Sequence, residues 1–312
     1  MPLVSSESTL KLVRLQTGSA QVPGDLLALL DSPDYSPSPL ALMDASDSDR
    51  RADEQKTAGA SFADLLQALR SIPASDSGSQ RAELQMRLSA RFRLSPETPK
   101  QAAQAIAHGL PEPVAKTLIG ALSGAQSQPG QAALVDLIKN RQLDTNLREH
   151  AVAVLGLSDA PTDDTAQALH AALRDPDRDV RGTAALALGN VASAQRQAGQ
   201  VGAAESQVDA LIELYQAAQT DAERADALEA LGNTGDPRIL PLVQQSLASP
   251  NGEVRVSAAR ALRFVVAATV DALLAQLVEQ DPSPAVRKAA LMACSFRQLV
   301  AFFPTLQNAV LK

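Results

Sequence analysis

The residues best able to do chemistry in this chain are few and scattered. Asp175, Asp177 and Asp179 stand at alternate positions in DPDRD, the spacing with which carboxylates open a calcium-binding loop. Such a loop needs glycine at its sixth position and glutamate at its twelfth; here those positions are Val180 and Leu186. The three acids are therefore read as turn-forming and helix-capping residues, and no metal is expected. His108, His150 and His170 are the only histidines. They fall in different segments, and no two have the i, i+4 spacing of a helical zinc pair, so polar helix faces account for them. Cys294 is the only cysteine, which excludes an intrachain disulfide, a multi-thiolate zinc site and a CxxC redox pair. LGNTGDP carries two glycines, yet no GK[ST] follows to hold a phosphate. Neither a catalytic residue nor a cofactor is expected, and the chain is read as non-enzymatic.

The elements that carry these residues repeat. RDPDRDVRGTAALALGN (residues 174–190) returns as ASPNGEVRVSAARALRF (248–264) and EQDPSPAVRKAALMACS (279–295). Arg148, Arg181, Arg224, Arg255 and Arg287 each head such a run, at spacings of 33, 43, 31 and 32 residues. A period in the thirties holding two helices marks an α-solenoid. The long interval contains SAQRQAGQVGAAESQ, about ten extra residues that are expected to form a loop, as insertions in solenoids do. Within residues 236–266, Asp236 and Pro237 suit a helix start, Ile239, Leu240, Leu242, Val243 and Leu247 form one apolar face, and Pro241 is tolerated early in the helix. Val254, Ala258, Ala259, Ala261 and Leu262 form the stripe of a second helix, and Cys294 aligns with Leu262 as a core residue. Gly156, Gly189 and Gly232 are expected as left-handed caps ending three second helices. FADLLQALRSIPASDSGSQRAELQMRLSARFR and PKQAAQAIAHGLPEPVAKTLIGALSG continue the rhythm upstream, giving about seven helical hairpins over residues 61–312. FFPTLQNAVLK reads as a lone final helix, with Phe302 and Phe303 able to cover the last apolar face.

Composition supports this all-α reading. Of the 312 residues 45% are hydrophobic but only 3% aromatic, and tryptophan is absent, so the core is built from Ala, Leu and Val, and Ala and Leu lead the helix formers. Residues 1–60 are rich in Ser, Asp and Pro and carry nine acidic against five basic residues; they are expected to be a mobile arm, with TLKLVRLQ as one possible strand. With a net charge of −7, nothing resembles the basic stripe that tracking nucleic-acid phosphates requires, and nucleic acid is not an expected ligand. The most apolar window, ALRFVVAATVDALLAQLV, holds Arg263 and Asp271 and is no membrane span. MPLVSSESTLKLVRLQ lacks the basic and apolar regions of a secretory signal. A soluble chain, cytoplasmic by default, is expected.

The pattern D-x-x-x-x-VR-x-x-A-A-x-A-L followed by G-N resembles HEAT repeats, most strongly over residues 147–294. The resemblance implies a superhelix with first helices on its convex side and second helices on its concave side. It also implies that Asp175 and Asp281 cap intra-repeat turns while Arg181, Arg287 and Arg255 pack against neighbouring repeats as a ladder, Asn251 standing in for the acid of the Arg255 repeat. A narrower likeness, LEALGNTGDPRILPLVQQSL, is similar to the helical domain of vitellogenin-type lipid-transfer proteins, with TLKLVRLQ where their strand stands. If each arginine opens a second helix, residues one, two and five places later project from the concave face: Glu149, His150 and Ala153; Gly182, Thr183 and Leu186; Ala225, Asp226 and Glu229; Val256, Ser257 and Arg260; Lys288, Ala289 and Met292. Leu186, Val256 and Met292 are apolar where solvent is expected, the mark of a contact face. The expected partner is a protein or peptide segment bound along that face. Two alternatives are a helical module of a larger lipid-transfer protein, with lipid as ligand, and a HEAT-like lyase or enzyme subunit.

Overall fold

A 3.6-residue apolar period interrupted by capping residues folds as helix after helix. A computed structural model describes residues 47–73 and 78–297, and among these there are fifteen α-helices and two short 3-10 turns, with no strand. After α1 (Asp47–Thr57) come seven hairpins, the number expected. They are α2 (Phe62–Arg70) with α3 (Ser79–Leu94), α4 (Thr98–Ala107) with α5 (Glu112–Gly124), α6 (Gln128–Lys139) with α7 (Thr145–Leu155), and α8 (Asp163–Ala172) with α9 (Arg178–Gln197). The chain continues with α10 (Val201–Ala217) and α11 (Asp221–Thr234), α12 (Leu240–Leu247) and α13 (Gly252–Ala261), and α14 (Ala268–Gln280) and α15 (Pro284–Ser295). Helix α1 falls inside the segment expected as an arm and packs on α3. The expected strand at TLKLVRLQ and final helix at FFPTLQNAVLK lie outside the described residues.

Side chains mark many of the helix starts. Ser61 accepts the Asp64 N–H and the Asp64 carboxylate accepts the Ser61 N–H, a reciprocal cap that Thr220 and Glu223 repeat. Ser127, Asp144, Thr162, Asp177, Asp236 and Asn251 each accept a first-turn N–H, each cap contributing about 1 kcal/mol. Second helices stack in order, α3 on α5, α5 on α7 and so on to α13 on α15. Leu118, Leu155, Leu188, Leu231 and Leu262 are buried within the stack, each burial contributing about 2 kcal/mol.

The three glycines expected as left-handed caps serve this stacking instead. Gly156 ends α7 with φ −65°, in the right-handed region, while Gly189 and Gly232 lie inside α9 and α11. The left-handed cap of α11 is Gly235, at φ 62°. A Cβ on Gly156 would come within 2.6 Å of the Ala187 Cα, one on Gly232 within 2.6 Å of the Ala261 Cα, and one on Gly189 into the Ala230 carbonyl and within 2.9 Å of the Asn233 Cβ. These glycines let successive second helices touch backbone to backbone.

The arginine ladder runs between hairpins. Asp175, 4% exposed, pairs with Arg148 of the preceding hairpin (2.7 Å) and with Arg141. Arg181 instead donates to the carbonyls of Asp175 and Pro176 in its own turn (2.7 and 2.9 Å). The pattern recurs where Asp281 pairs with Arg255 (3.0 Å) and Arg287 holds the Asp281 carbonyl (2.9 Å). Burial pushes the Asp175 carboxyl up, but the hydrogen bonds from Arg148 and the Asp177 N–H and the charges of Arg148 and Arg141 outweigh it, so it sits below its ordinary value. Burial is likewise outweighed at Asp281, by Arg255, the Ser283 N–H and Arg287. In the hairpin of Arg255 the ladder position belongs to Ser249, whose carbonyl Arg255 binds (3.0 Å). Asn251, expected there, is the N-cap two residues on. Serine offers no charge, so Arg224 of the preceding hairpin pairs within its own helix, with Asp221 (2.9 Å).

The insertion expected as a loop is helical. It lengthens α9 to 20 residues and α10 to 17, leaving only a tight turn in which Gly199 takes φ 76° and the Gln200 N–H bonds the Gln195 carbonyl (2.8 Å). Alanine and glutamine favour helix, and the left-handed glycine closes it. Gln195 and Gln207 from the added turns are buried and bonded to each other (3.3 Å), and Gln207 also meets His170 (2.5 Å).

Candidate functional site

The second helices carry the side chains expected to project, and their capped starts set the register. Asp226 and Arg260 are exposed and Leu186 is 40% exposed, an uncovered leucine on the second-helix layer. Glu149, His150, Ala153, Gly182, Thr183, Ala225, Glu229, Val256, Lys288 and Met292 are half-buried. Ser257 and Ala289 are buried, contrary to expectation, because they sit where α13 and α15 pack against neighbouring helices.

Several of these residues meet across hairpins. Thr183 in α9 donates to Glu149 in α7 (3.1 Å), and Arg178 in α9 reaches Asp226 in α11 (3.5 Å). Glu229 in α11 receives Arg260 (3.3 Å) and, more distantly, Arg263 (3.9 Å). Asn233 donates to the Leu186 carbonyl (3.2 Å) and accepts from Arg263. Burial draws the Arg263 guanidinium below its ordinary value while Glu229 works against the shift. His150 is also drawn down, chiefly by burial, beside Lys116 of α5. Arg178, Asn233 and Arg263 were not singled out in the sequence, although the G-N pair ending the motif marks Asn233. Charges on this layer are largely fixed by one another, which makes a surface of set polarity bearing an exposed apolar residue.

The other residues with chemical potential are separated. His108 bonds the Gln104 carbonyl (2.6 Å) at the end of α4, and His170 is held by Gln207. Of the three aspartates, Asp175 is the ladder acid, Asp177 caps α9, and Asp179 is exposed in its first turn. Burial pushes the Cys294 thiol up to about 12, so it is a packed, inert side chain. Among the described residues no helix is long and apolar enough to cross a membrane.

The family model for HEAT repeats matches residues 131–232, 208–295 and 239–311, more than half of the chain. No curated protein matches it. Among solved structures the chain is similar to the complex of CpcE and CpcF of phycocyanin lyase from Nostoc sp. PCC7120 (21% identity, 76% of this chain and 85% of that one, TM-score 0.48). It is also similar to an engineered protein (22% identity, 75% and 96%, TM-score 0.38) and to human deoxyhypusine hydroxylase in complex with glycerol (18% identity, 79% and 97%, TM-score 0.35). None of these findings carries the vitellogenin-type likeness. With a helical hairpin recurring seven times among the described residues and its arginine-headed motif matched three times over, the chain belongs to the HEAT-repeat family.

Proposed function

We propose that this HEAT-repeat chain is a non-enzymatic scaffold that binds a protein or peptide segment along the face built by its second helices. The observation that carries the reading is Leu186, 40% exposed on α9, on a layer whose charged side chains are tied to one another between hairpins. Val256 and Met292 extend the apolar character to α13 and α15. A stack in which each hairpin touches its neighbours offers a long surface of this kind, and an extended or helical segment lying across it would cover the leucine while meeting charges already held in place. Affinity capture from the source lysate with wild type and with a Leu186→Asp/Met292→Asp variant tests the reading. The variant keeps its helical circular dichroism and loses the captured protein; equal recovery from both removes the second-helix face from consideration.

A further inference from the structure

Beside the helical insertion the first-helix layer leaves an open groove. There α4 packs on α6 and α6 on α8, whereas α8 meets α10 more sparsely, with His170 and Gln207 bonded across (2.5 Å), although both rest on α9; α10 with α12 and α12 with α14 are joined as sparsely. Between α8 and α10 lies an open groove of about 680 Å³. Leu173 at the end of α8 and Ala210 and Leu214 on α10 give it an apolar lining, and Glu205, Asp209 and Glu213 line it along α10. Carboxylates four residues apart lie along one helix face with a rise of about 6 Å between them. Asp209 meets Arg238 (2.9 Å), whose guanidinium also reaches the Glu205 carbonyl (3.4 Å) and feels the Glu205 charge, while among the described residues Glu213 has no ion-pair partner. Arg174 stands on the α8 wall and Arg238 offsets part of the charge near Asp209 and Glu205, so the negative character of the α10 wall is strongest toward Glu213.

We propose that this groove receives an amphipathic helix from a partner protein, with apolar residues against Leu173, Ala210 and Leu214 and with Lys or Arg at i, i+4 and i+8 facing the carboxylates of α10. Such a helix fills the space that the sparse contact between α8 and α10 leaves open. An extended segment fits poorly, because the walls are helices with no sheet edge to receive its backbone N–H and C=O groups, whereas a helix satisfies its own. The apolar lining contributes affinity and the acidic wall sets orientation and encounter rate. This surface is separate from the second-helix face, so either can hold without the other.

The probe is a fluorescein-labelled helical peptide with leucines on one face and lysines at i, i+4 and i+8 beside them, followed by anisotropy with the full chain. A matched peptide with glutamates replacing the lysines is the control. The lysine peptide binds wild type, binds Glu205→Lys/Glu213→Lys about tenfold or more weakly, as reversal of two wall charges requires, and weakens as salt rises. Leu186→Asp leaves its binding unchanged, which separates this groove from the second-helix face. Should the lysine variant lose helicity, Glu205→Gln/Glu213→Gln, which removes charge at constant size, makes the comparison. The proposal is overturned by no binding to wild type, by equal affinity for the charge variants, by preference for the glutamate peptide, by loss of binding in Leu186→Asp, or by sedimentation showing the groove occupied by a second copy of this chain.

Discussion

Asp175 and Asp281 each lie beneath an arginine from the hairpin before, and the two pairs act as buried clamps between units. Removing one partner of a buried pair leaves an uncompensated charge, so Asp175→Leu lowers stability by about 3 kcal/mol, and Arg148→Met/Asp175→Leu recovers most of that loss; urea unfolding of the two single variants and the double checks the coupling. The clamps also set an acid limit. Because both carboxyls sit below their ordinary value when folded, their stabilisation is complete above the unfolded value of about 3.9. It is lost as pH falls through the lower folded values. Between pH 5 and pH 2 the Tm of wild type therefore drops more steeply than that of Asp175→Asn/Asp281→Asn, measured by circular dichroism at each pH. The acids and arginines of these clamps were legible from their alignment in the repeat. Which acid meets which arginine was not, because the partner comes from the next hairpin, 27 residues away for Arg148 and Asp175 and 26 for Arg255 and Asp281.

At the level of the helix, glycines of identical appearance in the sequence have opposite roles. Gly182 lies in α9 with nothing within 4 Å of the place a Cβ would take, while a Cβ on Gly189, two turns on, strikes the backbone of α11. Gly182→Ala therefore raises stability by about 0.5–1 kcal/mol through helix propensity. Gly189→Ala lowers it by about 1–3 kcal/mol, because overpacking outweighs the same propensity gain. Thermal denaturation of the two variants should move Tm in opposite directions. The insertion makes a similar point. Its Gln- and Ala-rich residues are good helix formers on their own terms, yet a repeat period is a statement about spacing, and spacing cannot distinguish ten residues added to a loop from ten shared between two helices.

Across the molecule, stability is distributed by nearest-neighbour packing. Helix α9 packs on α7, α8, α10 and α11, whereas α2 packs chiefly on α3 and α14 on α15. Amide hydrogen exchange should accordingly be slowest in α9 and at least about tenfold faster in α2 and α14. Uniform protection along all the helices would contradict a stack held together locally. The same arrangement leaves two separate surfaces, the second-helix layer and the groove between α8 and α10, each built by elements that a single neighbouring unit positions.

The helical class, the seven hairpins and the family resemblance depend on short-range physics: apolar residues every three or four positions, caps such as Asp177 and Thr220, and a motif recurring every thirty or so residues. Such information is complete within a segment and can be read from it. The roles of Gly156, Gly189 and Gly232, the burial of Ser257 and Ala289, the crossing of Asp175 to Arg148 and the groove beside α10 depend on how closely one backbone approaches another. That distance is set by the packing of two segments at once, so it came into being only when the hairpins stacked.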